Sequence, residues 1–94
     1  MEEKWIAAWA ANREKAAALG IRMRPVNPED AMHAAHRALS GSRCSDGFEE
    51  LADRNRLELS LEALAVDKRF TALFTDEEAN TALTRLLEAG YQFR

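Results

Sequence analysis

Signals that start and stop helices recur at short intervals along this chain. Gly20 closes an alanine-rich run, and glycine is the residue best able to adopt the left-handed conformation that ends a helix. Residues 27–30, with the sequence NPED, combine an amide cap, a proline suited to a first turn and acids near the positive end of a helix dipole. Thr75 and Glu78 have the spacing of a capping box. These signals predict a fold made of short helices.

In the first half of the chain we expect a helix over residues 2–19, an extended connector over 21–26 and a second helix from Asn27 to about Leu39. The connector alternates apolar and basic residues before Pro25, which disfavours helix at the preceding position. The loop-like sequence SGSRCSDG follows, and Ser45 within it is predicted to cap a third helix.

The second half contains one ambiguous segment, residues 57–66. Its leucines alternate as in a strand but also keep helical spacing, and the prevalence of Glu, Leu and Ala favours helix. A short helix over residues 67–74 and a last helix that begins at Asp76 and ends before Gly90 complete the prediction. We expect Leu83, Leu86 and Leu87 to form the buried stripe of that last helix. The predicted fold is all-α, a compact bundle of five or six short helices in a single domain over residues 1–94.

The composition narrows the class of protein. A chain of 94 residues can fold without disulfides or metals, and no apolar run approaches the roughly 20 residues of a transmembrane helix. The acidic residues near the N-terminus differ from the basic head of a secretion signal, and Cys44 is the one cysteine, so we expect a soluble, cytoplasmic protein. The net charge of −3 argues against nonspecific binding to nucleic acid.

The negative charge is concentrated in residues 45–66, which hold six acidic and two basic residues. Asp46, Glu49, Glu50 and Asp53 follow the spacing i, i+3, i+4, i+7, which predicts four carboxylates along one face of the third helix. Their mutual repulsion costs a few tenths of a kcal/mol per pair, and a basic partner surface would remove that cost. The alternative is a solvated face, partly neutralised by Arg54 and Arg56.

Trp5 and Trp9 lie one turn apart in a run, WIAAWAA, that is apolar on every face. Such a run is either central to the core or covered by another molecule, and tryptophan is common in both places. The sequence therefore leaves open a core role, a partner-binding role, and self-association through the first helix.

His33, His36 and Cys44 are the residues closest to a chemical site. They could supply three ligands to a metal, but a convincing fourth ligand is missing, and a lone His-x-x-His spacing is a weak signal. Cys44 precedes a predicted helix start and follows Arg43, and both features would lower a thiol pKa and favour the reactive thiolate. A cysteine nucleophile also needs a base. We therefore predict no catalytic residues, no metal and no cofactor.

The C-terminal half, from LSLEALAV to LTRLLEAGYQFR, resembles helix-turn-helix and winged-helix modules in the order of its helices. That resemblance implies a DNA-binding regulator that contacts the phosphate backbone through Lys68, Arg69 and Arg85. The recognition helix would then begin with Asp76, Glu77 and Glu78, which repel phosphates.

We therefore favour a non-enzymatic protein-interaction module that binds a basic protein surface through the third helix, the first helix, or both. In its profile the chain also resembles phage-encoded inhibitors, including anti-CRISPR proteins, some of which occupy the nucleic-acid-binding surface of their target. The helix-turn-helix regulator is the alternative function.

Overall fold

The computed structural model describes residues 2–23 and 27–91, and every regular element within them is helical. Five α-helices span α1 (Glu2–Ala18), α2 (Ala31–Ser40), α3 (Phe48–Asp53), α4 (Leu61–Ala65) and α5 (Asp76–Glu88). Two 3₁₀ helices, Leu57–Leu59 and Lys68–Leu73, precede and follow α4. The predicted all-α bundle of short helices is confirmed, and the ambiguous residues 57–66 are helical.

The helix ends signalled by glycine lie where the sequence predicts them. At the end of α1, the N–H of Gly20 bonds to the carbonyl of Ala17 at 2.9 Å and the N–H of Ile21 bonds to that of Ala16 at 3.0 Å. These two bonds define a Schellman motif, which requires the left-handed φ of 85° at Gly20. The same pair of bonds ends α5, where the N–H of Tyr91 reaches the carbonyl of Leu86 at 2.9 Å.

The start of α5 is also confirmed. The Thr75 hydroxyl accepts the N–H of Glu78 at 3.1 Å, and the Glu78 carboxylate accepts the N–H of Thr75 at 2.8 Å. This reciprocal pair is a complete capping box, and it fixes Asp76 as the first helical residue.

Two predicted helix starts are wrong. Residues 28–30 form a turn, and the first i to i+4 bond runs from the Ala34 N–H to the Asp30 carbonyl. The helix α2 therefore begins at Ala31 rather than near Asn27.

The extended connector is described only over residues 21–23, which have no regular structure, and its remaining residues 24–26 lie outside the described part of the chain.

The second wrong helix start is that of α3. Gly47 precedes this helix in a left-handed conformation, with φ of 77°, and the side chain of Ser45 does not cap it. A Cβ atom at Gly47 would lie 3.0 Å from Cε of Met23 and 3.1 Å from Cγ2 of Ile21. Both the backbone angle and the close approach of these side chains therefore require glycine at this position.

The buried residues form two adjoining clusters. One joins α1, α2, α4 and α5 around the tryptophans, with Leu39, Leu64, Phe70, Phe74 and Ala82. The other lies near the C-terminal end of α1 and contains Ala16, Ile21, Phe48, Leu51, Leu57, Leu59 and Leu86. Met23 and Val66 pack against both clusters and so connect them.

The buried side of α5 differs from the predicted stripe. Glu78, Ala82 and Leu86 are buried at four-residue intervals, whereas Leu83 and Leu87 are 37% and 57% exposed. The buried residues of α5 lie on the side that packs against α2 and α4, the two helices that α5 contacts most. Within the described residues, none of the helices combines the length and apolar character needed to cross a bilayer.

Candidate functional site

The four acidic residues that the sequence singles out are all exposed, and together they are termed the acidic surface: Asp46, Glu49, Glu50 and Asp53. Three of them lie on α3, whose opposite side buries Phe48 and Leu51 in the core. The prediction of four carboxylates on one helix is wrong for Asp46, because the left-handed Gly47 separates it from α3. Asp46 instead ends the preceding loop.

The two arginines that follow α3 have different surroundings. Nε of Arg56 donates a hydrogen bond to Glu58 at 2.6 Å, so its charge is engaged outside the acidic surface. Arg54 is exposed and occupies the C-cap of α3, next to Asp53 in the chain.

Trp5 and Trp9 belong to the core in this structure. Trp5 is fully buried and Trp9 is 6% exposed, and their rings stack with centroids 6.4 Å apart. The rings of Trp5 and Phe74 also pack edge to face, with centroids 5.7 Å apart. Of the three roles that the sequence leaves open, the core role accounts for this burial, and neither indole is exposed on the surface as a partner-binding side chain. The indole N–H of Trp5 is buried and has no hydrogen-bond partner among the described residues.

A buried ion pair that no local sequence pattern predicts anchors the loop before α3. Arg85 of α5 donates to the fully buried carboxylate of Glu62 in α4 at 3.1 Å. The same guanidinium donates to the carbonyls of Ala38 at 3.0 Å and Gly41 at 2.8 Å, at the end of α2. Glu62 also accepts the N–H of Ser45 at 2.9 Å and the hydroxyl of Ser45. Both carboxylate oxygens of Glu62 and both terminal nitrogens of Arg85 therefore have a hydrogen-bond partner.

Of the three cations proposed for DNA contact, Arg85 is not accessible, because its side chain is only 9% exposed and is held in this network. Arg69 is exposed but donates to Asp67 through two nitrogens, at 3.2 and 3.0 Å, and lies over the ring of Phe70. Lys68 is exposed. The exposed acids Asp76 and Glu77 occupy the start of α5, where a recognition helix would approach DNA.

His36 and Glu78 form a second contact between distant segments. Nδ1 of His36 lies 2.6 Å from Glu78, which is also the acid of the capping box. Burial raises the pKa of Glu78, but the hydrogen bonds from Thr75 and His36 and the charge of His36 outweigh it, so the pKa lies below its ordinary value. This carboxylate is therefore held in its charged form by the folded structure.

Cys44 does not have the environment predicted for a reactive thiol. It is exposed on the loop, but partial burial of the thiol and the negative charge of Glu62 raise its pKa, against a smaller opposing effect of Arg85. The expected lowering is therefore wrong, because burial of the thiol and the charge of Glu62 together outweigh the charge of Arg85. His33 is exposed, and among the described residues no three His, Cys, Asp or Glu side chains converge to hold a metal ion.

The sequence did contain a signal for the buried pair. Glu62 is the one charged residue within the otherwise apolar run LEALAV, and a charge at such a position is buried only when it is paired. Its partner could not be identified in advance, since Arg85 lies 23 residues further along the chain.

Comparison with family models, curated proteins and solved structures finds no match for this chain.

Proposed function

We propose that this protein is a non-enzymatic interaction module whose acidic surface binds a basic surface of another protein. The observation that carries the proposal is the exposure of the three carboxylates of α3, Glu49, Glu50 and Asp53, on the side opposite buried Phe48 and Leu51, with exposed Asp46 beside them. Like charges held close together on a folded surface repel one another, and a cationic partner converts that repulsion into attraction. The helix that carries three of them is fixed to the core, so the charges are presented by a rigid element.

The partner chemistry proposed is a protein groove that ordinarily holds nucleic acid. Such a groove presents Lys and Arg side chains spaced to meet phosphates, and carboxylates can occupy the same positions. Binding there would make the protein an inhibitor, which is the role of the phage-encoded proteins that the chain resembles in size, charge and helical content. The proposed place of action is the cytoplasm, where Cys44 remains a thiol.

The test uses the whole chain immobilised as bait in extracts of its source cell. The reversal variant carries Glu49→Lys and Glu50→Lys, and the matched control carries Glu3→Lys and Glu14→Lys, which make the same charge change at exposed positions of α1. Retained proteins are identified by mass spectrometry, with and without heparin as a competing polyanion. All variants are first compared by circular dichroism and urea denaturation.

We expect a protein that is retained by the wild-type chain and by the control, is displaced by heparin, and is lost with the reversal variant. Such a target should also bind nucleic acid, and the free chain should compete with that nucleic acid. Retention of the same proteins by the reversal variant would overturn the proposal, as would the absence of any heparin-sensitive protein on the wild-type bait.

A further inference from the structure

A groove of about 450 Å³ lies between α1, α2 and the loop that precedes α3. Its volume is within the range of roughly 300–1,000 Å³ that small-molecule sites occupy. The apolar part of its lining comes from Trp9, Met23 and Leu61, which reach it from three separate segments of the chain. The groove therefore has a floor that belongs to the core of the molecule.

The groove exists because the wall supplied by α2 consists of small residues. Ala31, Ala34 and Ala38 recur at helical spacing along that wall, and Gly41 continues it into the loop. A larger side chain at any of these positions would fill space that is open in the structure. Ala34 is the suitable position for a test, since it lines the groove but is not among the residues packed against the core cluster.

The charged residues of the lining give the groove a positive balance. Arg37 from α2 and Arg43 from the loop are both exposed, and within the described part of the chain neither guanidinium is hydrogen-bonded or ion-paired. Asp46 is the one acid in the lining. The nearby carboxylate of Glu62 is buried and paired with Arg85, although at Cys44 its charge has the larger effect of the two.

We infer that the groove binds a small amphipathic carboxylate, with an apolar chain against Trp9, Met23 and Leu61 and the carboxylate near Arg37 and Arg43. Charge complementarity selects this occupant, because an apolar floor with two guanidinium groups that no described residue engages favours an apolar body with an anionic head. The inference does not depend on the proposed function, which concerns cationic partners of the acidic surface.

The probe is decanoate, titrated below its micelle concentration into the isotopically labelled protein and followed by NMR. Decanol and decyltrimethylammonium have the same chain with a neutral and a cationic head. We expect decanoate to shift the indole N–H signal of Trp9 and the methyl signals of Met23 and Ala34. Decanol should bind more weakly at the same signals, and the cation more weakly still.

Variants separate the contribution of charge from that of shape. Replacing Arg37 and Arg43 together with Gln should weaken decanoate binding roughly tenfold and leave decanol binding unchanged, because two exposed ion pairs contribute on that scale. The matched control carries Arg22→Gln and Arg54→Gln, two exposed arginines outside the groove, and should bind as the wild type does. Ala34→Leu should weaken all ligands that enter the groove, and its fold is checked by circular dichroism.

Three results would overturn the inference. The first is the absence of shifts at the groove signals, or shifts centred on exposed Leu83 and Leu87 instead. The second is equal binding of the three head groups, or equal decanoate affinity of the Gln variant and the wild type. The third is a shift of the groove signals with protein concentration alone, which would identify a second copy of the chain as the occupant.

Discussion

Arg85 makes three of the hydrogen bonds that join distant segments of the chain. It neutralises a fully buried carboxylate and satisfies two carbonyls at the end of α2, so its loss would leave Glu62 charged, buried and without its cation. Breaking a buried ion pair by removing one partner costs about 3–5 kcal/mol, much more than the net contribution of the intact pair.

We therefore expect Arg85→Met to lower the free energy of unfolding by about 3–5 kcal/mol, measured by urea denaturation. Adding Glu62→Leu should recover part of that loss, because no unpaired charge remains in the interior. Arg54→Met at an exposed site is the control and should stay within about 0.5 kcal/mol of the wild type. A cost below about 1 kcal/mol for Arg85→Met would contradict the role assigned to the pair.

Glu78 gives the molecule a pH-dependent contribution to stability. Its pKa is lower in the folded protein than in the unfolded chain, so the contribution is fully present above the unfolded pKa, about 4.3, and is lost as pH falls through the lower folded pKa. Glu78→Gln should therefore be less stable than the wild type by about 1 kcal/mol at pH 7, with the difference shrinking at acidic pH.

The measurement is urea denaturation of both proteins across pH 3 to pH 8, with Glu77→Gln as control. Glu77 is the exposed neighbour in the same helical turn and has no hydrogen bond to a described residue, so its replacement removes one acid without breaking the contact to His36. A difference between the wild type and Glu78→Gln that stays constant over this range would show that the charge of Glu78 is not what stabilises the fold.

At the scale of elements, several helix boundaries depend on left-handed backbone angles that residues other than glycine rarely adopt. Gly20 and Gly47 both have left-handed φ values, but a Cβ atom at Gly20 would meet nothing within 4 Å, whereas at Gly47 it would meet Met23 at 3.0 Å. Gly41 has an ordinary negative φ of −84° and is a control for the loss of glycine alone.

We expect Gly41→Ala to be neutral or slightly stabilising and Gly20→Ala to cost about 1–2 kcal/mol, the usual penalty of a left-handed residue with a side chain. Gly47→Ala should cost roughly 1–3 kcal/mol more than Gly20→Ala, because the added methyl group also displaces Met23 and Ile21. Thermal denaturation of the three variants gives the order. Equal melting temperatures for Gly20→Ala and Gly47→Ala would contradict the packing argument.

The elements that could be predicted from the sequence are those whose signal lies within one helical turn. The ends of α1 and α5 and the capping box at Thr75 depend on residues at most a few positions apart, and all three are confirmed. The predicted start of α2 is too early, because a cap and a proline are compatible with a turn as well as with a helix.

The residues of the candidate site can likewise be predicted only where the signal is local. Local spacing identified the carboxylates of the acidic surface, but it could not show that Gly47 separates Asp46 from the helix. The partners of Glu62 and His36 lie 23 and 42 residues away, and the groove is formed by segments from three parts of the chain. Such contacts depend on tertiary packing, which no local pattern contains.

At the scale of the whole molecule, the charge distribution determines whether the protein can bind a polyanion such as DNA. The net charge is −3, one of the three cations suggested for DNA contact is in the interior, and Arg69 is engaged by Asp67. We expect no retardation of duplex DNA in a gel-shift titration at low salt. An affinity for DNA that falls steeply as salt rises would contradict this and favour the helix-turn-helix alternative.

The loop between α2 and α3 contributes to two surfaces, since Arg43 lines the groove and Asp46 belongs to both the groove and the acidic surface. On its buried side this loop is hydrogen-bonded to Glu62 through Ser45 and to Arg85 through Gly41. In a mutational screen, substitutions at these two interior positions would therefore imitate lost contacts at either surface without touching any ligand. Interpreting such a screen requires that the fold of each variant be measured before a residue is assigned to an interface.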